Sequence, residues 1–130
     1  MARPRSEHPT ELELQVLKIL WERSPLPVRE IRQALAATGR DIAHTSVITT
    51  LNTMVGKGYL RRHMQANACL FKPRVSRQQV SRLMLRDIVN RVFDGSAAAV
   101  MVSLFDQAQL DEEELKELRG VINRKLKERS

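Results

Sequence analysis

The sequence predicts a mainly α-helical fold with one small β-hairpin, divided into two parts. Two observations predict it. Three segments with helical apolar spacing are followed by two short alternating runs in the first half, whereas the second half is helical throughout. The charge divides the same way: residues 1–75 carry 12 Lys and Arg against 6 Asp and Glu, and residues 76–130 carry 10 against 9. The basicity of a chain with a formal net charge of +7 therefore belongs to its first half.

Residues 1–9 are polar and contain two prolines, which predicts a flexible arm. Thr10 and Glu13 then form a capping box. Leu12, Leu14, Val16, Leu17, Ile19, Leu20 and Trp21 follow at helical spacing, predicting a first helix over about 10–23. Ser24-Pro25-Leu26-Pro27 breaks it, because proline lacks a donor and clashes with the preceding turn. Val28, Ile31 and Leu35 mark a short second helix that Gly39 can end. A third helix starts at His44, capped by His44 or Thr45, and buries Val47, Leu51, Met54 and Val55 along one stripe. Lys57-Gly58 closes it, with a cation at the carbonyl end and glycine beyond. Tyr59–Met64 and Ala68–Lys72, separated by Gln65-Ala66-Asn67 and stopped by Pro73, form the hairpin.

From Ser76 onward Val80, Leu83, Met84, Ile88 and Val92 predict a fourth helix ending near Asp94-Gly95. Ser96 opens a short apolar fifth helix through Phe105. Asp111 and Glu114 form a second capping box, and Leu115, Leu118, Ile122 and Leu126 supply the apolar face of a sixth helix. Three helices and then a basic hairpin is the element order of a winged helix-turn-helix. Residues 10–75 are accordingly expected to form a DNA-binding domain and residues 76–130 a helical dimerisation domain.

Several function classes are disfavoured. No apolar run approaches the roughly 20 residues that span a bilayer, and the start MARPRSEHPTE lacks the apolar core of a signal peptide. A cytoplasmic protein without membrane insertion is expected. The single cysteine, Cys69, excludes an intrachain disulfide and alternates in phase with Phe71 as a strand residue. His8, His44 and His63 are too scattered for a zinc site, so neither metal, cofactor nor catalytic residues are expected.

The third helix carries the candidate site. Its stripe of buried residues leaves Thr45, Thr49, Asn52 and Gly56 opposite, with Ser46 and Thr53 alongside, and His44 at the helix start is placed to cap it or to contact phosphate. A solvated helix face is usually rich in Lys and Glu, whereas small hydroxyls and one amide suit close approach to a surface. Hydroxyls can bond phosphates or base edges, and Asn can make a bidentate pair with adenine. The bland alternative is a polar helix that is merely soluble. Arg29, Arg32, Arg40, Lys57, Arg61, Arg62 and His63 flank this face as phosphates flank a major groove. Two further alternatives stay open: a winged helix that docks a protein partner, and a repressor regulated by a small molecule.

The second half answers a different question. Leu83, Met84, Ile88, Phe93, Met101, Leu104, Phe105, Leu115, Leu118 and Ile122 are more apolar bulk than three short helices bury alone. Pairing into a homodimer buries them, and a two-fold dimer offers two recognition helices to a palindromic operator.

The stretches "TELELQVLKILWE", "PLPVREIRQAL", "HTSVITTLNTMVGKGYLRR", "CLFKP", "FDGS" and "LDEEELKELRGVIN" resemble the penicillinase and methicillin-resistance repressors, the BlaI/MecI family, over about Thr10 to Lys127. The resemblance implies a winged helix plus dimerisation helices, a double-stranded DNA operator, and control of β-lactam-resistance or stress genes. It also implies a membrane-bound sensor metalloprotease as a partner. By position, cleavage would fall between Ser103 and Leu104, where studied relatives have Asn-Phe. Basic residues that some relatives carry fall at Ile48 and Thr53, so their operator sequence does not transfer. The chain ends RKLKERS and lacks the cysteine-rich tail of copper-responsive relatives.

Overall fold

A computed structural model of the chain describes residues 8–130. The order of elements is α1 (Glu11–Glu22), β1 (Leu26–Pro27), α2 (Val28–Ala37), α3 (His44–Lys57), β2 (Leu60–Gln65), β3 (Ala68–Pro73), α4 (Arg77–Arg91), α5 (Ala97–Gln107) and α6 (Glu112–Glu128). The strands form one antiparallel sheet in the order β1-β3-β2. This is a mainly helical winged helix-turn-helix followed by further helices.

Local chemistry sets most boundaries. The Thr10 hydroxyl accepts the Glu13 N–H at 3.3 Å while the Glu13 carboxylate accepts the Thr10 N–H at 2.9 Å, which starts α1. Gly39 (φ 97°) lets the Arg40 N–H turn back to the Leu35 carbonyl and ends α2. Gly58 (φ 86°) does the same for α3, with the Tyr59 N–H on the Met54 carbonyl. The start of α3 differs from expectation. Its N-cap is Ala43, which has no side chain to bond, and His44 and Thr45 lie inside the first turn, where their side chains are exposed.

The hairpin turns on Ala66 (φ 49°) and Asn67 (φ 65°), two left-handed residues that match the twist of the flanking strands. β1 was not expected, because two residues next to prolines carry no alternation. It pairs Leu26 with Phe71 and Pro27 with Leu70 at the sheet edge, where proline's missing donor is tolerated.

The core joins α1 (Val16, Leu17, Leu20), α2 (Ile31, Leu35), α3 (Val47, Leu51, Met54) and the sheet (Leu26, Leu60, Phe71), with Tyr59 and Val80. The Trp21 indole N–H donates to the Val75 carbonyl at 2.8 Å, and the Arg77 guanidinium sits 5.0 Å from its ring centre. Of the expected arm, residues 1–7 lie outside the described residues, and the other two are held. Pro9 is fully buried, and the two His8 ring nitrogens lie 3.0 Å from the Pro9 carbonyl and from Asp87.

Contacts divide the chain into two compact units, Met1–Asp87 and Ile88–Ser130, so the division falls inside α4. The first turns of α4 belong to the winged helix. Ser76 and Gln79 cap them reciprocally, Val80 is buried, and Met84 packs on the core. In the second unit, Ser96 caps α5, and Asp111 and Glu114 cap α6, as expected. Neither of these two helices buries a residue: Met101 is 56% exposed, Phe105 41% and Ile122 48%. Among the described residues, no helix is long and apolar enough to cross a membrane.

Candidate nucleic-acid interface

Burial of Val47, Leu51 and Met54 turns the opposite face of α3 outward, and His44, Thr45, Ser46, Thr49, Asn52 and Thr53 are all exposed on it. The Thr49 hydroxyl donates to the Thr45 carbonyl and the Thr50 hydroxyl to the Ser46 carbonyl, both at 2.9 Å. Thr49 therefore presents a methyl group and oxygen lone pairs, not a proton. Asn52 accepts a hydrogen bond at 2.7 Å from Nη2 of Arg62 on β2, joining the helix face to the hairpin.

The cations do not act as one cluster. Arg62 is paired across the ladder with Phe71 and reaches α3, so Arg61 and His63 alternate to the opposite face of the hairpin. There Arg61 lies opposite Lys72 and lines an open groove of about 410 Å³ with Ser24, Pro73 and Arg74. Lys72 and Arg74 carry no signal of their own in sequence beyond their charge. Arg29 is exposed on α2. Arg32 is half-buried, and its Nε–H donates to the Ile42 carbonyl at 3.0 Å, which holds the loop before α3.

Lys57 has a structural partner. Its ammonium donates to both carboxylate oxygens of Glu13 at 2.9 and 3.1 Å, and Glu13 is only 4% exposed. A buried carboxylate needs a partner, so Lys57 ties the end of α3 to the start of α1. Burial, and secondarily the Glu13 charge, push the Tyr59 phenol above its ordinary pKa, partly opposed by Lys57.

The second unit carries an apolar groove of about 550 Å³ between α5 and α6, lined by Met101, Leu104, Phe105, Leu118, Ile122 and Leu126 among others. Of the other expected dimerisation residues, Ile88 and Leu115 are exposed, Phe93 and Leu83 are half-buried, and Met84 is the exception. It is engaged by the winged-helix core, because α4 begins on that core. Ser103 and Leu104 lie within the continuous helix α5. Cys69 is a free, half-buried thiol. Among the described residues, no group of three or more His, Cys, Asp or Glu side chains could hold a metal ion.

The sequence model of the family described as penicillinase repressor matches residues 9–124. The chain belongs to the penicillinase repressor family. That match spans both units. The chain is 24% identical over 113 residues to the penicillinase repressor of Bacillus licheniformis, covering 87% of this chain and 88% of that protein. It is 31% identical over 104 residues to the transcriptional regulator BlaI of Mycobacterium tuberculosis, covering 78% and 75%. Among solved structures, a similar one is the B. licheniformis BlaI monomeric form in complex with the blaP half-operator. The TM-score is 0.48 and the identity 22%, over 57% of this chain and 89% of that one. Another is the multiple antibiotic-resistance repressor MarR of Listeria monocytogenes, at TM-score 0.49 and 17% identity over 94% and 74%. Penicillinase repressors are transcriptional repressors and not enzymes.

Proposed function

We propose that this chain is a homodimeric repressor of the cytoplasm that binds a palindromic duplex operator through residues 10–75 and pairs through residues 76–130. The exposed, uncharged face of α3 with Arg62 beside it carries the reading, because small hydroxyls and an amide can come close to base edges in a major groove. Arg29, His44, Arg61 and His63 supply phosphate contacts, and Thr45, Ser46, Thr49, Asn52 and Thr53 face the bases. The exposed apolar surface of α5 and α6 supports pairing. The regulated genes are β-lactam-resistance or stress genes. A membrane-bound sensor metalloprotease cuts between Ser103 and Leu104, among the groove residues of α5, and so separates the dimer.

The decisive experiment is fluorescence anisotropy with the chain's own promoter region. Nanomolar binding is expected, weakening by orders of magnitude between 50 and 200 mM salt as phosphate-bound counterions are released. Binding indifferent to sequence, or unaffected by salt, would refute the repressor.

A further inference from the structure

We infer that Arg62 and Asn52 work as a single reading unit that presents hydrogen-bond donors and selects guanine. The inference deepens the repressor reading and rests on it. Arginine has five donors and no acceptor, so only the amide oxygen of Asn52 can face the guanidinium that lies 2.7 Å away. The orientation of this amide is thereby settled, and its NH2 is the group turned from Arg62. Both side chains are exposed, one on the recognition helix and one on the hairpin. Arg62 cannot slide out of reach, because its strand register is set by buried Leu60 on the same face and by the pairing with buried Phe71. No ion pair among the described residues involves Arg62, which leaves its other donors available.

An asparagine reads adenine by accepting from N6 and donating to N7 at once. Here the accepting oxygen is taken, and where its second lone pair stays open the positive guanidinium beside it repels the N6 amino group. Guanine offers O6 and N7, both acceptors, to the same place. The donor-only pair fits guanine and opposes adenine, contrary to what Asn52 alone would favour. One turn earlier, Thr49 offers the complementary chemistry, since its hydroxyl proton is held by the Thr45 carbonyl.

Selection of bound sequences from a randomised duplex library tests this for any operator sequence. The wild-type chain should enrich guanine at one position per half-site, and Asn52→Ala should erase that preference alone. Arg62→Ala should shift the same position toward adenine by about tenfold in relative enrichment while leaving the other positions unchanged. Arg62→Gln, whose amide both donates and accepts, should admit adenine too, and both variants should keep the wild-type melting midpoint because Arg62 is exposed. Adenine at the position sensitive to Asn52 in the wild type would overturn the inference. So would an Arg62→Ala variant that loses affinity equally for all sequences with guanine intact, the behaviour of a phosphate contact. A library that yields no enriched sequence overturns the repressor reading, and this inference with it.

Discussion

Glu13 shows how one side chain can serve two elements. Its carboxylate caps α1 through the Thr10 N–H and accepts both hydrogen bonds from the Lys57 ammonium, a partner 44 residues away. Removing the cation leaves a buried, uncompensated charge, so Lys57→Ala should destabilise the chain by about 3 kcal/mol in urea unfolding. Arg61→Ala, at an exposed site with no ion-pair partner among the described residues, should change stability by less than about 0.5 kcal/mol. Equal effects would remove the distinction drawn between a structural and a free cation. Tyr59 adds a pH dependence. Its phenol titrates above the ordinary value of 10.0, chiefly because of burial, so the folded state holds the proton more tightly than the unfolded chain. That contribution is complete below pH 10 and is lost as pH rises through the folded value. Stability measured by urea midpoint should therefore fall from about pH 10 upward, and Tyr59→Phe should make the fall shallower.

Among the elements, the ends are unevenly secured. Capping boxes at α1 and α6 are read from sequence as Thr10-Glu13 and Asp111-Glu114, because cap chemistry is local to four residues, and the structure adds a third, Ser76-Gln79, at α4. Sequence reading places a cap at His44 or Thr45 that the structure does not contain, since the chain reaches α3 one residue earlier, at Ala43. β1 was unreadable for the opposite reason: its only signal is its pairing with β3, more than forty residues onward. The hairpin turn keeps Ala66 at φ 49°, a conformation that costs a residue with a Cβ about 1 kcal/mol. Ala66→Gly should relieve this and raise stability by about 0.5 kcal/mol after glycine's greater unfolded entropy is counted. A lower thermal midpoint in that variant would mean that the turn relaxes otherwise.

On the scale of the whole molecule, the two units differ in how they are held. The winged helix has a core of buried apolar residues drawn from α1, α2, α3 and the sheet, whereas α5 and α6 bury none and leave Leu104 56% and Leu126 63% exposed. An apolar surface of this extent supports the proposed pairing of two chains. Phe105→Glu should therefore sediment as a monomer and bind its promoter duplex at least about tenfold more weakly, because one recognition helix then acts without a second. An unchanged sedimentation profile would rule out the α5–α6 face as the dimer contact.

What the amino-acid sequence determined by itself is local or periodic: six helices, the hairpin, the outward face of α3 and the apolar excess of the second half. Helical and strand periodicity, caps and glycine stops act over a few residues and need no tertiary partner to be read. Only the tertiary structure decided which cation does what. Strand alternation sends Arg61 and Arg62 to opposite faces, a buried carboxylate claims Lys57, and Arg62 turns the amide of Asn52. Each of these depends on side chains brought together from distant parts of the chain. Charge and composition can count such residues but cannot pair them.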